Sequence, residues 1–237
     1  NVDFKRFKNA GGKNMLREKM ALAYESRSYL LPRKYGSAHE MCQQGCVSTV
    51  AVKVTDHDAL DRDELTAAEM EGRKQAFEYE RFFRNEVPGY ENSKIIGLSH
   101  QIGVRETRRV FGLHRLTRGE CLAGQIPGTS VLLCGAPIED HRKNESGEDE
   151  TRWEYIPGTG IYGVPYGTLV PKNSHVSWVA GRCFSATHDA HASCRSMAQT
   201  MGMGQAAGLA AVLSLEKDCS AGDVPVNLLQ NRLLDAG

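Results

Sequence analysis

Residues 178–211 read WVAGRCFSATHDAHASCRSMAQTMGMGQAAGLAA. The stretch joins the end of a short apolar run to a polar turn rich in His and Arg, and then to a long helix of small residues. Val176 to Ala180 is almost continuously apolar, as a strand buried on both faces of a parallel sheet would be. A strand-to-helix turn aims the free N–H groups and partial positive charge of a helix N-terminus at whatever lies above the sheet. Ligands of such sheets sit beyond the carboxyl ends of the strands, here from Gly181 onward. The following helix carries Gly202, Gly204 and Gly208. Each interior glycine costs about 1 kcal/mol, so the three imply a packing or ligand constraint. Gly204, Gly208 and Ala211 share one stripe, along which a neighbouring element could approach backbone to backbone. A tightly packed buried helix with no ligand would satisfy the same pattern.

The turn THDAHASCR offers His188, Asp189, His191 and Arg195. These residues could simply cap the helix. Alternatively, His188 and His191 face a bound substrate while Arg195 and the helix end stabilise negative charge on a ring or oxyanion. A third reading, a hydrolytic metal held by His188, Asp189 and His191, has fewer firm ligands than a catalytic site uses. Upstream lies GVRETRRV. On a strand, Arg105, Thr107 and Arg109 share one face, and Glu106 and Arg108 the other. Forked guanidinium groups at Arg105 and Arg109 suit an anionic substrate or cofactor; ion pairing with Glu106 or Glu120 is the plainer alternative. His100 is a weak catalytic candidate. His39, Cys42 and Cys46 resemble part of a metal site without a second ligand pair.

Outward from these stretches, Lys13–Leu31 has the spacing of an amphipathic helix, with Leu16, Met20, Ala23 and Leu30 on one face and Pro32 after it. Cys46–Val54 is rich in β-branched residues and reads as a strand. A capping box at Thr66–Glu69 predicts a helix to about Glu86, with Gly72, Ala76, Tyr79, Phe83 and Val87 at helical spacing, broken at Pro88-Gly89. Strands are expected in IIGLSHQIGV from Ile95, in TRRVFGLHRL and in TSVLLCG. Residues 141–152, HRKNESGEDETR, have the composition of a surface loop. Trp153–Pro171 suggests short strands and tight turns, and DVPVNLLQNRLL a closing helix.

Composition limits the function further. The 237 residues are 41% hydrophobic and 24% charged, with 29 basic and 29 acidic side chains. Zero net charge argues against a nucleic-acid partner, whose affinity needs excess basic groups. No apolar run is long enough to span a bilayer, and no signal-peptide pattern opens the chain. The opening NVDFKRFKN reads as a chain entered midway. Seven scattered cysteines, an odd number, suit reduced thiols and a cytoplasmic setting.

In combination, VAGRCFSATHDAHASCR and GQAAGLAA resemble the C-terminal flavin-binding signature of a family of FAD-dependent oxidoreductases. These belong to the glutathione-reductase-like superfamily and are distantly similar to fumarate reductase flavoproteins. GVRETRRVFG (Gly103 to Gly112) with its following Leu-Thr pair, Val164-Pro165-Tyr166, Leu169-Val170-Pro171 and PRKYGSAHE match the same family. The resemblance covers nearly the whole chain. It implies FAD as cofactor, with Gly181 and Arg182 along the ribityl chain or phosphates. It also implies Arg195, Ser196 and Met197 at the pyrimidine edge of the flavin, His188 and His191 near the ring, and Gly204 and Gln205 among the cofactor contacts.

Two departures stand out. Gly167 replaces a larger polar residue, and the family's strand followed by G-x-G-x-x-G is absent from these residues. The likeness is to the C-terminal half of such an enzyme. The expected fold is mixed α/β (α+β in detail): a substrate-type domain over 1–165, then a segment of an FAD-binding domain over 166–237. The expected function is hydride transfer between a small-molecule substrate, an anionic one at the arginines, and flavin. A partner chain or a nucleotide-binding N-terminal half would complete the site. A non-catalytic folded remnant and the metal-dependent hydrolase are the alternatives.

Overall fold

A computed structural model describes residues 1–143 and 149–237. Its packing divides into two compact units, Asn1–Val104 and Arg105–Gly237. Among the described residues, helices alternate with three two-stranded antiparallel sheets, so the mixed α/β class holds. The expected boundary at residue 165 lies inside the second unit.

The first unit contains α1 (Phe4–Asn9), α2 (Gly12–Ser26), β1 (Ser37–Glu40), β2 (Val47–Val50) and α3 (Arg62–Glu86). The apolar stripe of α2 is buried at Leu16, Met20 and Ala23 as expected. The helix stops at Ser26, however, because Arg27 turns left-handed at φ +54°. Leu30 is therefore exposed, and Tyr29 and Leu31 are buried in its place. The strand expected over 46–54 is paired only at Val47–Val50, with Ser37–Glu40.

The longest helix, α3, begins four residues before the predicted Thr66 box. Asp61 Oδ1 accepts hydrogen bonds from the Asp63 and Glu64 amides, both at 2.9 Å, the stronger start signal. Thr66 instead bonds back to the Arg62 carbonyl at 2.8 Å. Gly72, Ala76, Tyr79, Phe83 and Val87 do form the buried face. The expected strand from Ile95 is absent for a related reason. Side chains of α3 take the amides that a neighbouring strand would need: Glu80 Oε1 accepts from Ile95 at 3.3 Å, and Glu69 Oε1 from Ile102 at 2.6 Å.

The second unit contains α4 (Arg118–Leu122), β3 (Ser130–Cys134), β4 (Ile138–Lys143), β5 (Asp149–Glu154), β6 (Tyr162–Pro165), α5 (His188–Cys194), α6 (Met197–Lys217) and α7 (Val226–Asp235). The capping box that the sequence suggested at Thr66 occurs here, at Thr117 and Glu120. β3 pairs with β6, and β4 with β5. Most of the expected 141–152 loop is thus a β-hairpin; residues 144–148 lie outside the described ones.

The strand expected at Val176–Ala180 is not formed, and Val176 is 83% exposed. A both-faces-buried strand needs sheet neighbours, and this run makes only one such bond, Val179 N–H to the Leu169 carbonyl at 2.8 Å. The expected strand over 107–116 is likewise reduced to isolated bridges, Gly112 with Pro171 and Leu116 with Ala186. A Cβ on Gly112 would come within 2.6 Å of the Gly167 carbonyl, so this close approach requires glycine. Gly167 is constrained in turn, since its Cβ would sit 3.0 Å from the His114 amide. A larger residue there would push this contact apart.

The core beneath α5 combines small side chains with a polar island. Tyr162 and Ser193 hydroxyls lie 2.7 Å apart, Ser193 Oγ donates to the Ala136 carbonyl at 2.6 Å, and Gln199 Nε2 donates to Cys134 Sγ at 3.6 Å. These bonds fix the joint between α5 and α6. All seven cysteines are free thiols, and no helix among the described residues is long and apolar enough to cross a membrane.

Candidate functional site

The predicted polar turn is itself helical. α5 runs from His188 to Cys194, Arg195 caps its end, and Ser196 caps the start of α6. This short helix packs on β4, which brings its two histidines to Glu106 and Asp140. His188 Nδ1 lies 2.9 Å from Glu106 Oε2, and its Nε2 lies 3.4 Å from Asp140 Oδ1. His191 Nε2 donates to the Arg182 carbonyl at 2.8 Å, leaving its Nδ1 buried, without a hydrogen bond and 3.7 Å from the same Glu106 oxygen. Its ring stacks on Phe184 at 5.7 Å.

The alternation read into GVRETRRV does not survive. The segment is not a regular strand, and Glu106 and Arg109 turn inward together, paired at 3.0 Å. Arg105 lies 3.7 Å from Glu139 Oε2. Both arginines proposed as anion anchors therefore face carboxylates, and Glu106, considered only as a partner of arginine, is the hub of the cluster. An acidic side chain set among Arg105, Arg108 and Arg109 was the sequence signal for it. Asp140 and Glu139 carried no comparable signal, since only the β4 hairpin brings them to α5.

Arg195 is different. Among the described residues its guanidinium has no hydrogen-bond or ion-pair partner at contact distance. Burial, and then the charge of Arg105, hold its pKa below the ordinary arginine value, with Glu139 and Glu106 pulling the other way. It stands at the start of the 21-residue α6, whose Ser196 cap makes no side-chain hydrogen bond to the first turn. Uncapped helix N–H groups beside an unpaired guanidinium are an anion-seeking arrangement.

The two histidines are driven in opposite directions. Partial burial opposes charge on His188, but hydrogen bonds and charges from Glu106 and Asp140 outweigh it and raise its pKa. Burial dominates at His191 and lowers its pKa, helped by the charges of Arg109 and Arg195.

The remaining expected cofactor residues lie around the same joint. Gly181 adopts φ +87° with open space at its Cβ position, and Arg182 follows it. Met197 is exposed at the first turn of α6. Gly204 and Gln205 lie on the outer face of that helix. The expected packing stripe of glycines is not what this unit buries. Met203, Ala206, Ala210 and Leu213 face inward, and nothing among the described residues comes within 4 Å of a Cβ at Gly204 or Gly208. Only Gly202 meets a neighbour closely, Leu132 Cδ1 at 2.7 Å.

His100 is exposed on the first unit. No group of three or more His, Cys, Asp or Glu side chains among the described residues is placed to hold a metal ion. That leaves both the His39/Cys42/Cys46 set and the hydrolase reading without a site.

No curated protein and no solved structure matches the sequence. It does match the profile of FAD dependent oxidoreductases over residues 4–233. That match spans nearly the whole length, so the chain belongs to the FAD dependent oxidoreductase family, whose cofactor is FAD.

Proposed function

We propose that this chain provides the isoalloxazine-facing part of an FAD site, at which a hydride passes between a small-molecule substrate and the flavin. The observation that carries the reading is Arg195, a half-buried guanidinium with no ion-pair partner among the described residues, beside the uncapped start of α6. Arg195, Ser196 and Met197 would hold the pyrimidine edge, where a positive helix end favours the reduced, anionic ring. Gly181 and Arg182 would lie along the ribityl chain and phosphates, and Gly204 and Gln205 would add contacts from α6. The flavin supplies the electron sink; the chain orients it and manages charge and protons around it.

An anionic substrate would compete with Glu139 and Glu106 for Arg105 and Arg109, beside His188 and His191. The 3.7 Å separation of Arg105 from Glu139 makes that pair the easier to open, since charge-assisted hydrogen bonds are closer to 2.7–2.9 Å. The adenosine end needs a Gly-rich strand-to-helix turn that these residues do not contain. It would come from a nucleotide-binding half, on the same polypeptide or on a partner chain. Seven free thiols favour a reducing, cytoplasmic setting.

Titration of the 237-residue chain with FAD, followed by flavin fluorescence, tests the reading. Weak binding is expected, with Arg195→Met weakening it about tenfold or more, the scale of a lost charged hydrogen bond. Tight, stoichiometric FAD on the isolated chain would refute the half-site. Binding unaltered by Arg195→Met would remove Arg195 from it. No flavin binding even with a nucleotide-binding half added would favour a non-catalytic remnant.

A further inference from the structure

We propose that His188, Glu106 and His191 form a proton relay, with exposed His188 as its mouth, Glu106 as the bridge and buried His191 as its inner end. Its place in catalysis rests on the flavin reading above; its geometry does not. One carboxylate oxygen, Glu106 Oε2, serves both rings, at 2.9 Å from His188 Nδ1 and 3.7 Å from His191 Nδ1. The His188 side chain is 59% exposed and that of His191 fully buried, so the three groups run from solvent to interior.

His191 is oriented for this role by its other nitrogen. Because Nε2–H is committed to the Arg182 carbonyl at 2.8 Å, the bare lone pair of the neutral ring is Nδ1, which lacks a hydrogen bond. A proton arriving there converts an unsatisfied buried acceptor into an imidazolium facing a carboxylate. The attraction would close the 3.7 Å gap, as catalytic hydrogen bonds commonly tighten on reaction. The Nε2–H bond to Arg182, in the segment expected along the cofactor, is unaffected by the transfer.

The surrounding charges set where the proton rests. His188 faces Glu106 on the 105–109 segment and Asp140 on β4, two anions that favour its charged form. His191 faces Glu106, Arg109 and Arg195, and burial with the two guanidiniums disfavours its charged form. The outer end of the relay thus holds a proton more readily than the inner end, with two titrating groups pushed apart by their environments as in acid–base pairs.

Hydride loss from a substrate X–H carbon leaves a proton to be removed from the adjacent O–H or N–H. With His188 neutral and its one ring proton on Nδ1 toward Glu106, the proton bond to that heteroatom breaks and one to the bare His188 Nε2 forms. Nδ1–H passes its proton to Glu106 Oε2, and Oε2 passes one to His191 Nδ1. One proton moves and no electrons do; reduction runs the same steps backward. Glu106 touches neither substrate nor flavin and is a positioning residue.

Nitrogen-15 NMR of the histidine rings across a pH titration tests this on the protein as it is. His188 should titrate above the free-imidazole midpoint, and His191 below it as the Nε2–H tautomer. Glu106→Gln should lower the His188 midpoint and uncouple the two titrations. His188→Asn, an exposed change that preserves the fold, should raise the His191 midpoint by removing a competing positive charge. An His191 proton resident on Nδ1, or an His191 midpoint unmoved by His188→Asn, would overturn the relay. The result is separable from the flavin reading: coupled histidines without flavin binding would sink only the latter, and flavin binding with uncoupled histidines only the relay.

Discussion

The interiors of Asn1–Val104 and Arg105–Gly237 are built from different materials. The first is a run of aromatic rings. Phe4 stacks on Phe7 at 5.2 Å, Phe7 meets Tyr90 edge-on at 5.7 Å, Tyr90 stacks on Phe83 at 4.9 Å, and Phe82 joins Phe83 and Tyr29 at 5.5 and 5.3 Å. The second interleaves small side chains, Ala186, Ala190, Ala206 and Ala210 with the thiols of Cys121, Cys134 and Cys194, among aliphatic residues such as Leu116, Leu169 and Leu229 and the separate rings of Tyr162, Tyr166 and Phe184. Large rings fill volume with few polar groups to satisfy. Small residues bring backbones together and leave room for hydrogen bonds such as those of Ser193 and Gln199, which fix the α5–α6 joint and with it the charged cluster.

This contrast can be broken by mutation. Phe82→Ala removes a fully buried ring and should destabilise the chain by about 3–5 kcal/mol, read by denaturant unfolding. Ala206→Gly removes one buried methyl from the middle of α6 and should cost about 2 kcal/mol, from backbone freedom and lost apolar burial together. Equal effects would mean that one α6 methyl matters as much as a whole buried ring, which would break the contrast.

Thr117→Ala is expected to have the smallest effect of the three, about 1 kcal/mol at neutral pH, through loss of the α4 cap. It carries a pH signature. Burial of Glu120 opposes its charge, but hydrogen bonds from Thr117 and the nearby His114 outweigh this and lower its pKa. The stability it contributes is present above its unfolded value of about 4.5 and lost as pH falls through the lower folded value. The difference between wild type and Thr117→Ala in thermal melts should shrink across that acid range. A constant difference would mean that the cap alone, without Glu120, holds α4.

Helices were legible from sequence because their signals are local. The spacing in α2 and α3 and the closing helix α7 came from neighbours three and four residues apart, and the small-residue pattern of α6 marked a long helix. Strands fared worse, since a strand is defined by a partner that its own sequence does not name. Ile95–Val104 has strand composition, yet α3 carboxylates take its amides. Val176–Ala180 is apolar enough for a buried strand, yet it has no sheet to join. The site divided the same way. His188, His191 and Arg195 were legible as one polar segment ahead of a small-residue helix, but Glu106 as their hub was not.

By itself the sequence determined the family resemblance, the helices α2, α3, α6 and α7, and the residues able to carry charge and protons, while the short α1, α4 and α5 went unread. Tertiary structure alone decided which charges meet. It paired Arg109 with Glu106 and left Arg195 without an ion-pair partner among the described residues, set one histidine in solvent and the other in the core, and turned the glycine face of α6 outward. The physical reason is that pairing, burial and exposure depend on groups brought together from β4, α5 and the 105–109 segment, whose separation along the chain no local pattern encodes.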